Sequence, residues 1–80
     1  MSLKTTWKHL NATYWYEKGL RLDNVGKVER ALKCYDHSLA LNENNDFAWT
    51  NKGLILKGQV EYEEALVCFD RALAINPVQE

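Results

Sequence analysis

The feature that most restricts the fold of this chain is an internal duplication with a period of 34 residues. Shifted back by that period, Trp49, Lys52, Gly53, Leu54 and Leu56 fall on Trp15, Lys18, Gly19, Leu20 and Leu22. Glu63, Ala65, Leu66, Cys68 and Asp70 fall on Glu29, Ala31, Leu32, Cys34 and Asp36, and Leu73, Ala74 and Asn76 on Leu39, Ala40 and Asn42. Thirteen identities in 34 positions without a gap, with Tyr35/Phe69 and Leu41/Ile75 as conservative pairs, exceed chance similarity between helical segments. A fixed period of this size means stacked supersecondary units, each of which buries its apolar face against a neighbour.

Helical spacing organises each copy. In the first, Trp15, Gly19 and Leu22 share a face between Ala12 and Asp23, and Asn24-Val25-Gly26 supplies turn chemistry. A second helix is expected from Lys27 to Leu41, burying Ala31, Leu32, Tyr35, Ser38, Leu39 and Leu41. The run Asn42-Glu43-Asn44-Asn45-Asp46 breaks the pattern and offers caps for the next helix. The second copy predicts helices over Phe47–Lys57, ending at Gly58-Gln59, and over Tyr62–Ile75, stopped by Asn76-Pro77. Glu61, Glu63 and Glu64 lie near the start of the last helix, where negative charge suits the dipole.

The alternation of sizes explains how two helices lie close together. Gly19 and Gly53 remove a side chain at the crossing, Ala31 and Ala65 do so from the opposite helix, and Trp15/Trp49 and Tyr35/Phe69 fill the adjoining space. The expected fold class is therefore all-α: an α-α superhelix of two stacked antiparallel helix hairpins. The expected divisions are residues 1–11, 12–45 and 46–79. Leu3, Trp7, Leu10 and Tyr14 extend a helical stripe into the first unit. Residues 1–11 are either an extension of the first helix, with Thr5 or Thr6 as its cap, or the remnant of a preceding unit. Asn11, aligned with the turn residue Asn45, favours the remnant. The lack of a strong breaker between Trp7 and Asp23 favours a continuous helix, which is the expectation.

These offsets resemble the tetratricopeptide repeat, a 34-residue helical unit with Trp, Leu-Gly, Tyr, Ala, Phe and Pro at fixed places. The second unit carries Trp49, Gly53, Ala65, Phe69, Ala72 and Pro77 there, and the first Trp15, Gly19, Ala31 and Tyr35. Lys18 and Lys52 replace the usual Leu, Leu22 and Leu56 the usual Tyr, and Glu43 the proline. The resemblance implies a repeat core of Trp15, Gly19, Leu22, Ala31, Tyr35, Trp49, Gly53, Leu56, Ala65, Phe69, Ala72 and Pro77. It also implies a concave groove lined by the first helix of each unit. Carried onto this chain, the groove positions are Thr13, Tyr16, Leu20, Asp23 and Asn24, then Phe47, Thr50, Leu54, Lys57 and Gly58. Family members that clamp a chaperone's C-terminal carboxylate use Lys and Asn at two groove places. Here those places hold Tyr16 and Leu20, then Thr50 and Leu54, and Asn51 alone matches a clamp asparagine. A peptide with apolar anchors suits this surface better.

The implied function is a protein–protein interaction module without enzymatic activity or cofactor. The alternative is self-association, end to end or by helix exchange, or a place within a longer array. Repeat arrays need polar capping units, and Leu66, Phe69, Leu73 and Ile75 are expected to be left partly unmatched after the last helix. Two units also fall short of the usual minimum of about three. Residues 1–40 hold seven Lys/Arg against four Asp/Glu, and residues 41–80 three against seven, a +3/−4 split that would favour head-to-tail contact. Acids interleave with the basic residues of the first half, which argues against a nucleic-acid partner. No apolar run approaches the ~20 residues of a membrane span, and no signal-peptide pattern is present, so a cytoplasmic location is expected. Cys34 and Cys68 occupy equivalent places in neighbouring units, at least about 8–10 Å apart by helix packing, and are expected to be free thiols. His37, three residues after Cys34, lacks the partners of a metal set and reads as a surface histidine.

Overall fold

The computed structural model describes residues 3–78, with side chains from Thr6 to Val78. It contains α1 (Leu3–Asn24), α2 (Val28–Leu41), α3 (Asp46–Gly58) and α4 (Tyr62–Ile75), and no strand among the described residues. Residues 1–43 and 44–80 form two compact units, in which α1 packs on α2 and α3 on α4. The fold is all-α, built of two helix hairpins. The first helix runs unbroken from the N-terminal stripe into the duplicated segment. Thr5 and Thr6 consequently lie inside α1 rather than capping it.

Each hairpin turns through the same backbone device. In the first, the Gly26 amide donates to the Asp23 carbonyl and the Lys27 amide to the Leu22 carbonyl. In the second, Val60 donates to Lys57 and Glu61 to Leu56. These paired bonds are a Schellman C-cap, which satisfies the last free carbonyls of a helix and requires a left-handed residue. That residue is Gly26 (φ 82°) in one unit and Val60 (φ 64°) in the other. Helix α3 starts on Asn45, whose side-chain oxygen accepts from the Ala48 amide at 3.1 Å. Helices α2 and α4 end on Asn42 (φ −148°, ψ 99°) and Asn76 (φ −136°, ψ 93°). The two caps share one extended geometry although Glu43 follows the first and Pro77 the second.

Within each hairpin the backbones approach closely at a glycine. A Cβ placed on Gly19 would lie 2.7 Å from the Tyr35 ring, and one on Gly53 would lie 2.5 Å from the Phe69 ring. Ala31, Cys34, Tyr35 and Leu39 are buried in the first unit, and Ala48, Ile55, Leu56, Ala65, Cys68 and Ala72 in the second. The two cysteines are free thiols. A buried hydroxyl joins the helices of the first unit, where Ser38 Oγ donates to the Ala12 carbonyl at 2.6 Å. The equivalent of Ser38 is Ala72, and the second unit instead links its helix ends through Asn76 Nδ2 and the Asp46 carboxylate at 3.2 Å.

Five of the residues expected in the repeat core are not fully buried. Trp15, Leu22, Trp49 and Phe69 are half-buried and Pro77 is exposed. The tryptophans sit at the hairpin margin, where large rings keep one side in water. There Lys18 Nζ lies 5.2 Å from the Trp15 ring centre, and Lys52 Nζ lies 5.7 Å from that of Trp49. Pro77 acts on its backbone, restricting the residue before it, and needs no burial for that. Conversely Ala12, Ala48 and Ile55 are core residues outside the expected set. Ala12 and Ala48 are small enough to let the facing helix close on them.

Candidate functional site

The first helix of each unit carries the residues marked out for recognition. On α1, Thr13, Tyr16, Leu20 and Asp23 recur every three or four residues and so share a face. Thr13 is exposed, and its hydroxyl donates to the His9 carbonyl at 3.0 Å. Tyr16 and Leu20 are half-buried, with the Tyr16 ring centre 6.0 Å from that of Tyr35. The Asp23 carboxylate accepts the Tyr35 hydroxyl at 3.2 Å, which satisfies a phenol that is otherwise sealed from water. Asn24 closes the helix, exposed.

The corresponding face of α3 is more open. Phe47 is 65% and Leu54 53% exposed, with Thr50 and Asn51 half-buried between them and Lys57 and Gly58 exposed at the end. Lys57 stands where the first unit has Asp23, and Phe69 where it has Tyr35. The carboxylate and the hydroxyl it receives are thus exchanged together. The ring that needs an acceptor has one, and the ring that needs none faces a turn ending in lysine.

A second apolar surface lies on α4, where Tyr62, Leu66 and Leu73 are 58%, 61% and 48% exposed. A shallow recess of about 280 Å³ opens there, walled by Lys57, Tyr62, Ala65, Leu66 and Phe69. Ile75 is half-buried. Residues 7–14 of α1 carry a third such surface, with Trp7 66%, Leu10 64% and Tyr14 50% exposed. Periodicity marks that stripe as helical but does not reveal that its large side chains stand half or more exposed.

The paired positions His37 and Arg71 also have a definite place. The His37 ring lies over Trp15, centre to centre 4.4 Å, and the Arg71 guanidinium lies 5.6 Å from the Trp49 ring centre. His37 therefore packs on an aromatic face, while the Cys34 thiol is buried inside the hairpin. Among the described residues no group of three or more His, Cys, Asp or Glu is arranged to hold a metal ion. No described helix is long and apolar enough to cross a membrane.

Family models described as tetratricopeptide repeat match residues 12–45 and, in tandem, residues 47–77. No curated protein matches the chain.

Proposed function

The chain belongs to the tetratricopeptide-repeat family, whose repeats mediate protein–protein interaction as non-enzymatic scaffolds, and we propose that it binds a peptide or protein segment along the first helices of its repeats. The observation that carries this reading is the pair Phe47 and Leu54. They stand two turns apart on one face of α3, both more than half exposed. Their separation of about 10 Å along the axis suits consecutive apolar anchors of a bound segment. Asn51 between them offers hydrogen bonds that fix its register, and in the first unit Tyr16 and Leu20 form an apolar pair of their own on α1. The partner is a segment with spaced apolar side chains, since neither helix face has the cation set of a carboxylate clamp. The buried free thiols Cys34 and Cys68 suit a reducing compartment, which supports a cytoplasmic setting.

Peptide-array binding by the wild type and by Leu20→Glu/Leu54→Glu tests the surface. Charge at both positions is expected to abolish capture of apolar-anchored peptides while far-UV circular dichroism is unchanged. Undiminished capture by the double variant refutes the assignment.

A second reading is self-association through α4. It is favoured by the exposure of Tyr62, Leu66 and Leu73 in a single stripe beside an open recess.

A further inference from the structure

We propose that the outward face of α4 is covered by the N-terminal turns of α1 from a second copy of this chain. This rests on the self-association reading and names the occupant. Two helical stripes are open to solvent: Tyr62, Leu66 and Leu73 on α4, and Trp7, Leu10 and Tyr14 on α1. Both recur at steps of three, four or seven residues, the spacing by which one helix packs on another.

Charge decides which stripe meets which. Residues 3–16 contain Lys4 and Lys8 and no acidic residue. Leu66 on α4 is flanked one turn before by Glu63 and one turn after by Asp70, with Glu61 and Glu64 beside the helix start and Arg71 as the one basic residue of α4. Pairing α4 with its own copy, or α1 with its own copy, sets like charges against each other. Pairing α1 with α4 of another copy sets opposite charges together, so the contact is heterologous.

Size points the same way. The recess of about 280 Å³ beside Leu66 is walled by apolar side chains with Lys57 at its rim. It suits one large aromatic anchor, and Trp7 is the largest exposed ring on the basic stripe. With Trp7 seated, its ring gives the Lys57 ammonium at the rim a face to lie over, where the π system attracts a cation. Of the α3 recognition face only Lys57, at its end, takes part; Phe47 and Leu54 do not.

Sedimentation equilibrium on the full chain tests this. The mass is expected to rise with concentration above the 9.3 kDa of one chain. Trp7→Ala and Leu66→Ala are each expected to raise the dissociation midpoint about tenfold or more, with helicity retained. Leu20→Glu/Leu54→Glu should leave the midpoint where it is. Lys4→Glu/Lys8→Glu and Glu63→Lys/Asp70→Lys should each be monomeric alone and assemble when mixed, because the mixture restores opposite charges at every contact. Assembly that is lost in Leu66→Ala but intact in Trp7→Ala, or a mixture that stays monomeric, overturns the occupant and leaves self-association standing. A wild type that remains monomeric at millimolar concentration overturns both.

Discussion

Val60 is the residue whose replacement the backbone most clearly predicts. It occupies the left-handed position of the second hairpin turn at φ 64°, where the first hairpin has Gly26 at φ 82°. A β-branched residue there sets its Cβ against the neighbouring carbonyl, at about 1–2 kcal/mol. Its side chain is 67% exposed, so little packing is lost on removing it. Val60→Gly relieves the strain but loosens the unfolded chain by about 0.5–1 kcal/mol, which leaves a net gain centred on about 0.75 kcal/mol. For a domain of this size that is a rise in melting temperature of about 2–8 °C. Val60→Asn, which tolerates the left-handed region without glycine's freedom, should gain a similar amount. Gly26→Val should lose what Val60→Gly gains. Thermal and urea unfolding followed by circular dichroism measure all three. If Val60→Gly and Val60→Asn both lower stability, the turn is held by something other than the Schellman geometry and the reasoning fails.

Two further outcomes concern packing and capping. Gly19→Ala and Gly53→Ala should each destabilise by overpacking, within about 1–3 kcal/mol. The Gly19 variant should suffer more, although the Gly53 contact is the shorter, because Tyr35 is fully buried and Phe69 has solvent on one side into which its ring can shift; equal losses in urea unfolding would contradict this. Asn45→Ala removes the side-chain acceptor from Ala48 and should reduce stability by about 0.5–2 kcal/mol, whereas Asn45→Asp should nearly preserve it.

Much of the fold is legible in the sequence because its controlling pattern is repeated. The same small and large residues recur at the same offsets, so the four helices and the pairing of each glycine with a ring follow from spacing. Local chemistry was harder to read where a residue does an unusual job. The duplication places Val60 opposite Gly26, and Gly58-Gln59 is correctly legible as the end of the helix, but nothing in a valine marks it as the left-handed residue of the turn. The tryptophans show another limit. Apolar spacing assigns Trp15 and Trp49 to the core, but Lys18 and Lys52 one turn later, with His37 and Arg71 from the facing helix, mark them as rings shared with solvent. The faces proposed for recognition are less legible still. Periodicity finds α1 and α3 but does not tell an exposed Phe47 from a half-buried Tyr16, because that depends on what each neighbouring helix covers.

The exchange of Asp23 and Tyr35 for Lys57 and Phe69 has a consequence for how such chains can be rebuilt. The phenol on α2 and its acceptor at the end of α1 form a matched lock and key inside a single hairpin. Moving α2 alone into the second repeat would bring a hydroxyl to a turn whose lysine offers no lone pair. Moving a whole hairpin carries both members along. For this pair, recombination at the bend within a repeat separates donor from acceptor and exchange of a whole hairpin does not, so the hairpin rather than the helix is the part that carries the bond intact.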